Sequence, residues 1–146
     1  MATIASAEGA RLVFLRPCIL TDPIEGWVTV QLVIRSDAGS LDVSGEFLRL
    51  DELHELDSGV RQVLAGRSQH YVLDPVEPNF QFKIESLDSG YRIDTRYLQS
   101  ITYADASIDF GRSKSVAVEI HQTADQIRMF ADQLRAELAS LVKPAG

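Results

Sequence analysis

Pro78 to Ser100 reads PNFQFKIESLDSGYRIDTRYLQS. Phe80, Phe82 and Ile84 alternate with Gln81, Lys83 and Glu85, the period of two that sends successive side chains to opposite faces of a strand. Tyr91, Ile93, Thr95 and Tyr97 then alternate with Arg92, Asp94 and Arg96. Between the two runs lies Leu87-Asp88-Ser89-Gly90, where Gly90 can take a positive φ at little steric cost. The stretch predicts an antiparallel hairpin with an aromatic face inward and a charged face outward. A lone hairpin is marginally stable in water, so the rest of the chain must supply more strands and a cover.

Working outward, the preceding half of the chain supplies strands. Arg11 to Arg16 (RLVFLR) is a short apolar run that Cys18-Ile19-Leu20 can extend beyond Pro17, and Asp22-Pro23 marks a turn. Gly26 to Arg35 (GWVTVQLVIR) reads as a strand with Val28, Val30, Leu32 and Ile34 on one face. Ser36 to Ser40 is a turn, after which Leu41, Val43, Gly45 and Phe47 alternate with Asp42, Ser44 and Glu46 to complete a second hairpin. Residues 1–10 are small and polar and read as a loose tail. At Leu50 the period changes, and Leu53, Leu56, Val60, Val63 and Leu64 fall on one helical stripe. Asp51 is placed to cap this helix and Gly66 to end it. Gly59 costs about 1 kcal/mol relative to alanine in a helix interior, which makes Ser58 a place for a break.

The following half is similar. Ser68 to Leu73 is a short strand; a further strand is expected around Ala106 to Phe110, with a turn at Gly111-Arg112-Ser113. Val116, Val118 and Ile120 alternate in a last strand. Thr123 to Leu141 is a helix with a capping box from Thr123 and Gln126, an apolar stripe through Ile127, Phe130, Ala131, Leu134, Leu138 and Leu141, and a stop at Lys143 and Pro144. The prediction is a single α+β domain over residues 11–143. It has a mostly antiparallel, meandering sheet of seven or eight strands, one helix inserted after the third strand, and a C-terminal helix packed on the sheet.

Composition bounds the function. The 146 residues are 45% hydrophobic and carry a net charge of -7, which disfavours nucleic acid and favours a basic protein partner, besides keeping the chain soluble. Cys18 is the single cysteine, so neither an internal disulfide nor a cysteine metal cage can form, and a reducing, cytoplasmic compartment is expected. MATIASAEGA lacks the basic and apolar regions of a secretory signal, and no apolar run approaches the roughly 20 residues of a membrane span. No G-x-S-x-G, G-x-G-x-x-G or phosphate loop occurs. His54, His70 and His121 are far apart, Cys18 reads as a small core residue, and Asp51, Glu52 and Glu55 read as capping and solvated groups. No catalytic residue, cofactor or metal ligand is therefore assigned.

One surface stands out. If the alternation holds, Trp27, Asp42, Glu46, Lys83, Glu85, Arg92, Asp94, Arg96, Glu119 and His121 share the outer face of the sheet, with Trp27 able to anchor a contact. That face is either a protein-binding surface or the ordinary wet side of an antiparallel sheet.

The order of parts also resembles a known family. A strand pair opening with a tryptophan precedes a helix reading DELHELDSGVRQVL, then Glu77 to Ile84 (EPNFQFKI), a G-x-R-I-D-T strand, and a final helix with DQIRMFADQLRAEL. From Arg11 to Leu141 this resembles the WapI-type immunity proteins. The resemblance implies a non-enzymatic cytoplasmic antidote that binds the toxin domain of a contact-dependent toxin, and it transfers no catalytic residue. Two other readings stay open: a module that self-associates through exposed strand edges as a homodimer, and an enzyme with Glu85, Asp94 or His121 in a closed cleft.

Overall fold

The computed structural model describes residues 2–99 and 114–141. The strand expected around Ala106 to Phe110, the turn after it and the helix stop at Lys143 and Pro144 lie outside the described residues. Within them the order is β1 (Ala2–Ala5), β2 (Leu12–Asp22), β3 (Trp27–Ser36), β4 (Gly39–Arg49), α1 (Leu50–Leu64), β5 (His70–Leu73), β6 (Phe80–Leu87), β7 (Gly90–Gln99), β8 (Lys114–Gln122) and α2 (Ala124–Ala139). No helix among these residues is long and apolar enough to cross a membrane.

The strands form two four-stranded antiparallel sheets, β1-β2-β3-β4 and β5-β6-β7-β8, each a meander in chain order. This corrects the expected single sheet of seven or eight strands. The reason is coverage. Strands lie about 4.8 Å apart and a helix is about 10 Å wide, so two helices cover only about four strands. Two half-sheets can instead bury their apolar faces on a shared core. That core holds Val28, Val30, Leu32 and Ile34 of β3 together with Phe80, Phe82 and Ile84 of β6 and Ile93 of β7. Phe47 of β4 touches both Phe80 and Tyr97, at ring-centre separations of 6.2 and 5.3 Å. Phe130 of α2 stacks on Phe82 at 6.1 Å.

The N-terminus also differs from expectation. Residues 2–5 are a strand and not a loose tail, so α1 follows the fourth strand, not the third. Ala2 and Ile4 are fully buried, and Thr3 donates its N–H to Gln133 Oε1 at 3.3 Å. Two inward side chains are too few to register as a period. Cys18 is another correction. It is the unpaired residue where the β2–β3 register shifts between Pro17 and Ile19, and it is half-exposed, not in the core.

The helices are held at their ends and between themselves. Arg49, not Asp51, is the N-cap of α1, and its N–H donates to Glu52 Oε1 at 2.8 Å. Glu52 is buried rather than solvated, because its second oxygen accepts from the Val76 N–H at 2.7 Å and pins the β5–β6 loop. Gly66 ends the helix at φ +74°. Thr123 caps α2 by accepting from the Gln126 N–H at 3.4 Å, while its own N–H goes to Gln122 Oε1 rather than to Gln126. Asp57, with a side chain 8% exposed, accepts from Arg61 at 2.9 Å and from Arg135 of α2 at 3.0 Å.

No break occurs at Ser58. Gly59 has a packing reason: the Tyr71 ring of β5 occupies the place a Cβ would take. The helix-propensity cost of glycine is the smaller term, so Gly59→Ala will lower stability by about 1–3 kcal/mol in denaturant unfolding. With Tyr71→Ala also present the two losses will fall short of their sum; full additivity would place the constraint elsewhere.

Tyr71 carries a second consequence. Its hydroxyl is buried and, among the described residues, has no hydrogen-bond partner. Burial pushes its pKa up, and Glu55 and Glu52 push the same way. The folded state thus favours the protonated phenol. That contribution is intact below the unfolded value of about 10 and is lost as pH rises above it. Tyr71→Phe removes an unsatisfied hydroxyl and should raise stability by about 1 kcal/mol at neutral pH. Above pH 10 its unfolding midpoint should also fall less than that of the parent chain.

Candidate protein-binding face

The second sheet turns its apolar residues inward and its polar residues to solvent, as the alternation dictates. Register then assembles rows across the strands. His70, Glu85, Arg92 and His121 form one row, and Val72, Lys83, Asp94 and Glu119 the next. Gln81, Arg96 and Ala117 form a third. Arg92 and His121, 29 positions apart in sequence, become direct neighbours in this way.

The centre of the face is Arg92. Its Nη2 lies 2.9 Å from Glu85 Oε2, and its Nε lies 3.3 Å from Asp94 Oδ2 and 3.6 Å from Glu119 Oε1. Glu85 is also 3.7 Å from Lys83 Nζ, and Glu119 is 3.7 Å from His121 Nε2, an ion pair when the imidazole is protonated. The two longer approaches to Arg92 Nε satisfy ion-pair distance without hydrogen-bond geometry, since Nε makes no hydrogen bond. Three carboxylates therefore share one guanidinium and one ammonium, an excess of one negative charge. The side chains are a third to a half exposed, where each pair is worth only about 0.2–1 kcal/mol.

Beside this cluster the face is concave. A depression of about 620 Å³ is lined by Val72, Asp74, Gln81, Arg96, Ala117 and Glu119, among others. Val72 is 50% exposed and Ala117 is short, so longer side chains stand around a low apolar floor. Arg96 spans it to Gln81, with Nη2 2.8 Å from Oε1. Among the described residues Arg96 has no carboxylate partner.

The ten residues expected to share a surface divide into two groups, and Lys83 falls in the first with its row partner Asp94. Glu85, Arg92, Asp94, Arg96, Glu119 and His121 do lie together on the outer face of the second sheet. Trp27, Asp42 and Glu46 belong to the first sheet and do not join them. Trp27 bonds Glu25 through Nε1 at 3.2 Å, at the end of β3 far from the Asp42 partner Val33. Six residues of strand, about 20 Å, separate Trp27 from Val33. The correction has the same cause as that of the fold, because one sheet became two. Sequence reasoning missed the depression: Val72 and Ala117 carried no chemical signal, and only the strand order β5-β6-β7-β8 brings them to one concavity. The residues suggested for an enzyme, Glu85, Asp94 and His121, lie on this open face instead of in a closed cleft. Among the described residues no cluster of three or more His, Cys, Asp or Glu could hold a metal ion.

Comparison with known proteins gives one match. The model of the immunity protein WapI-like family aligns with residues 9–141. No curated protein and no solved structure matches the chain. The family match takes in β2 to β8, both helices and every residue of the ionic face, and the chain belongs to the WapI-like immunity protein family.

Proposed function

We infer that the chain neutralises a cognate protein toxin by binding it directly, and that the outer face of the second sheet is its docking surface. Family membership supports the immunity role. The observation that carries the choice of surface is the Arg92 cluster beside the depression. It is a polar, preformed and concave patch whose charged side chains lie outside the core. Its excess carboxylate and the chain's net charge of -7 suit a basic toxin surface and repel nucleic acid. Neutralisation of this kind is non-enzymatic. It needs occlusion of the toxin, with no bond made or broken by the antidote.

The test begins with a partner recovered from lysate of the source organism by tagged protein and identified by mass spectrometry. Stoichiometric chain should abolish that partner's toxicity, and failure to do so would remove the immunity role. Asp94→Asn combined with Glu119→Gln should then slow association by roughly threefold to tenfold at low ionic strength. The difference should vanish near 0.5 M salt, where the Debye length is only about 4 Å. An unchanged association rate at low salt would move the docking surface off this face.

A further inference from the structure

Among the described residues the two sheets have four edges, and three of them are short or crossed by another part of the chain. β1 is four residues long, and Gln133 of α2 takes the Thr3 N–H. β5 is also four residues long, and Ser68 Oγ both donates to the His70 carbonyl at 2.6 Å and accepts from the His70 N–H at 3.4 Å. β8 is crossed by the β1–β2 turn: Arg11 Nη1 donates to the Glu119 carbonyl at 3.2 Å, and Gln122 Nε2 donates to the Ala5 carbonyl at 2.8 Å. Arg11 is itself fixed by Asp37, 2.7 Å away, whose carboxyl it holds below the usual carboxylate range.

The fourth edge is different. β4 runs eleven residues, and among the described residues it pairs with β3 alone. The two-residue turn Asp37-Ala38 closes on the pair Ser36–Gly39, so Leu41, Val43 and Gly45 face β3 with their backbone groups. The alternate residues Ser40, Asp42 and Ser44 turn their N–H and C=O groups away from β3. Among the described residues nothing bonds those groups; the Asp42 side chain meets only Gln31, at 3.4 Å. Leu41 and Val43 are half-buried at the rim of the core.

We propose that the β4 edge takes up an extended basic segment of a partner protein as an added strand. The backbone supplies the affinity, as strand addition requires. The segment's apolar side chains would lie beside Leu41 and Val43 and complete the rim of the core. Its basic side chains would lie on the other face beside the exposed Asp42 and Glu46. The same charges argue against a second copy. Antiparallel self-pairing centred on Ser44 sets Asp42 of each copy opposite Glu46 of the other, two like-charge contacts. The proposal rests on the reading that the chain acts by binding protein, but it uses a separate surface.

The probe is an eight-residue peptide alternating lysine and valine, with a peptide alternating glutamate and valine as control, added to the isotope-labelled full chain. Hydrogen exchange read by NMR should slow fivefold or more at the Ser40, Asp42 and Ser44 amides with saturating lysine peptide, and stay unchanged with the control. Ser44→Pro removes an N–H that β3 does not use, and it should abolish the protection. Asp42→Lys with Glu46→Lys, an exposed pair of changes, should do so with the strand intact. An equal response to both peptides, spectral changes confined to the second sheet, or protection that survives both variants would overturn the proposal. So would concentration-dependent protection without peptide, which would assign the edge to a second copy. A toxin that is neutralised at Asp94 and Glu119 while these amides stay unprotected would overturn it and leave the immunity role standing.

Discussion

Phe80 and Phe82 of β6 touch the two other parts of the molecule at once. Phe80 meets Phe47 of the first sheet, and Phe82 stacks on Phe130 of α2. Each ring removes a large apolar area from water, worth about 1.5–3 kcal/mol, and the pairs add geometric preference on top. The period of two makes both contacts available from a single strand: every second residue points inward, so consecutive inward rings reach different neighbours. The outward residues Gln81, Lys83 and Glu85 are then fixed on the solvent side. The position of the ionic face is thus a consequence of where the aromatic rings go.

Dividing the strands between two sheets solves the problem of cover and creates a problem of edges. An eight-stranded sheet would present two edges, while two four-stranded sheets present four. Three are short or crossed by particular side chains, and these do double duty. Gln133 ties α2 to β1, and Arg11 with Gln122 ties the first sheet to β8. Three hydrogen bonds between distant parts of the chain therefore lie at edges, while Asp57 and Arg61 bond across the two helices. Among the described residues no side chain crosses β4 in this way, and the exposed Asp42 and Glu46 set like charges against self-pairing there.

The hairpin Pro78 to Ser100 was legible because both of its strands show clean alternation and its turn has a glycine. Gly90 adopts φ +125°, and a Cβ there would lie 2.9 Å from the Gln122 carbonyl oxygen. The first sheet's hairpin and the apolar stripes of both helices were legible for the same reason, a local period. The division into two sheets was not, since period reports which side of a strand is apolar and says nothing of which sheet the strand joins. The roles of Gly59, Glu52 and Asp57 were hidden too. Each depends on one partner outside the helix: Tyr71, Val76 and Arg135. Gly59 looked like a local defect because the ring that requires it lies twelve positions further along the chain.

The candidate site was legible only in part, and the parts that were lost share a cause. Glu85, Arg92, Asp94, Arg96, Glu119 and His121 could be placed on one face from alternation within three strands. Their mutual distances could not, because these depend on register between strands. Register also produces the property that makes the face suitable for recognition. Arg92 already holds Glu85, Asp94 and Glu119 near one point, so an incoming cation meets carboxylates whose side-chain freedom is largely spent before contact. In water the cluster adds little to stability. Once a partner excludes solvent, the same charges interact several times more strongly. On the proposed reading, a face of this kind contributes to binding more than to folding.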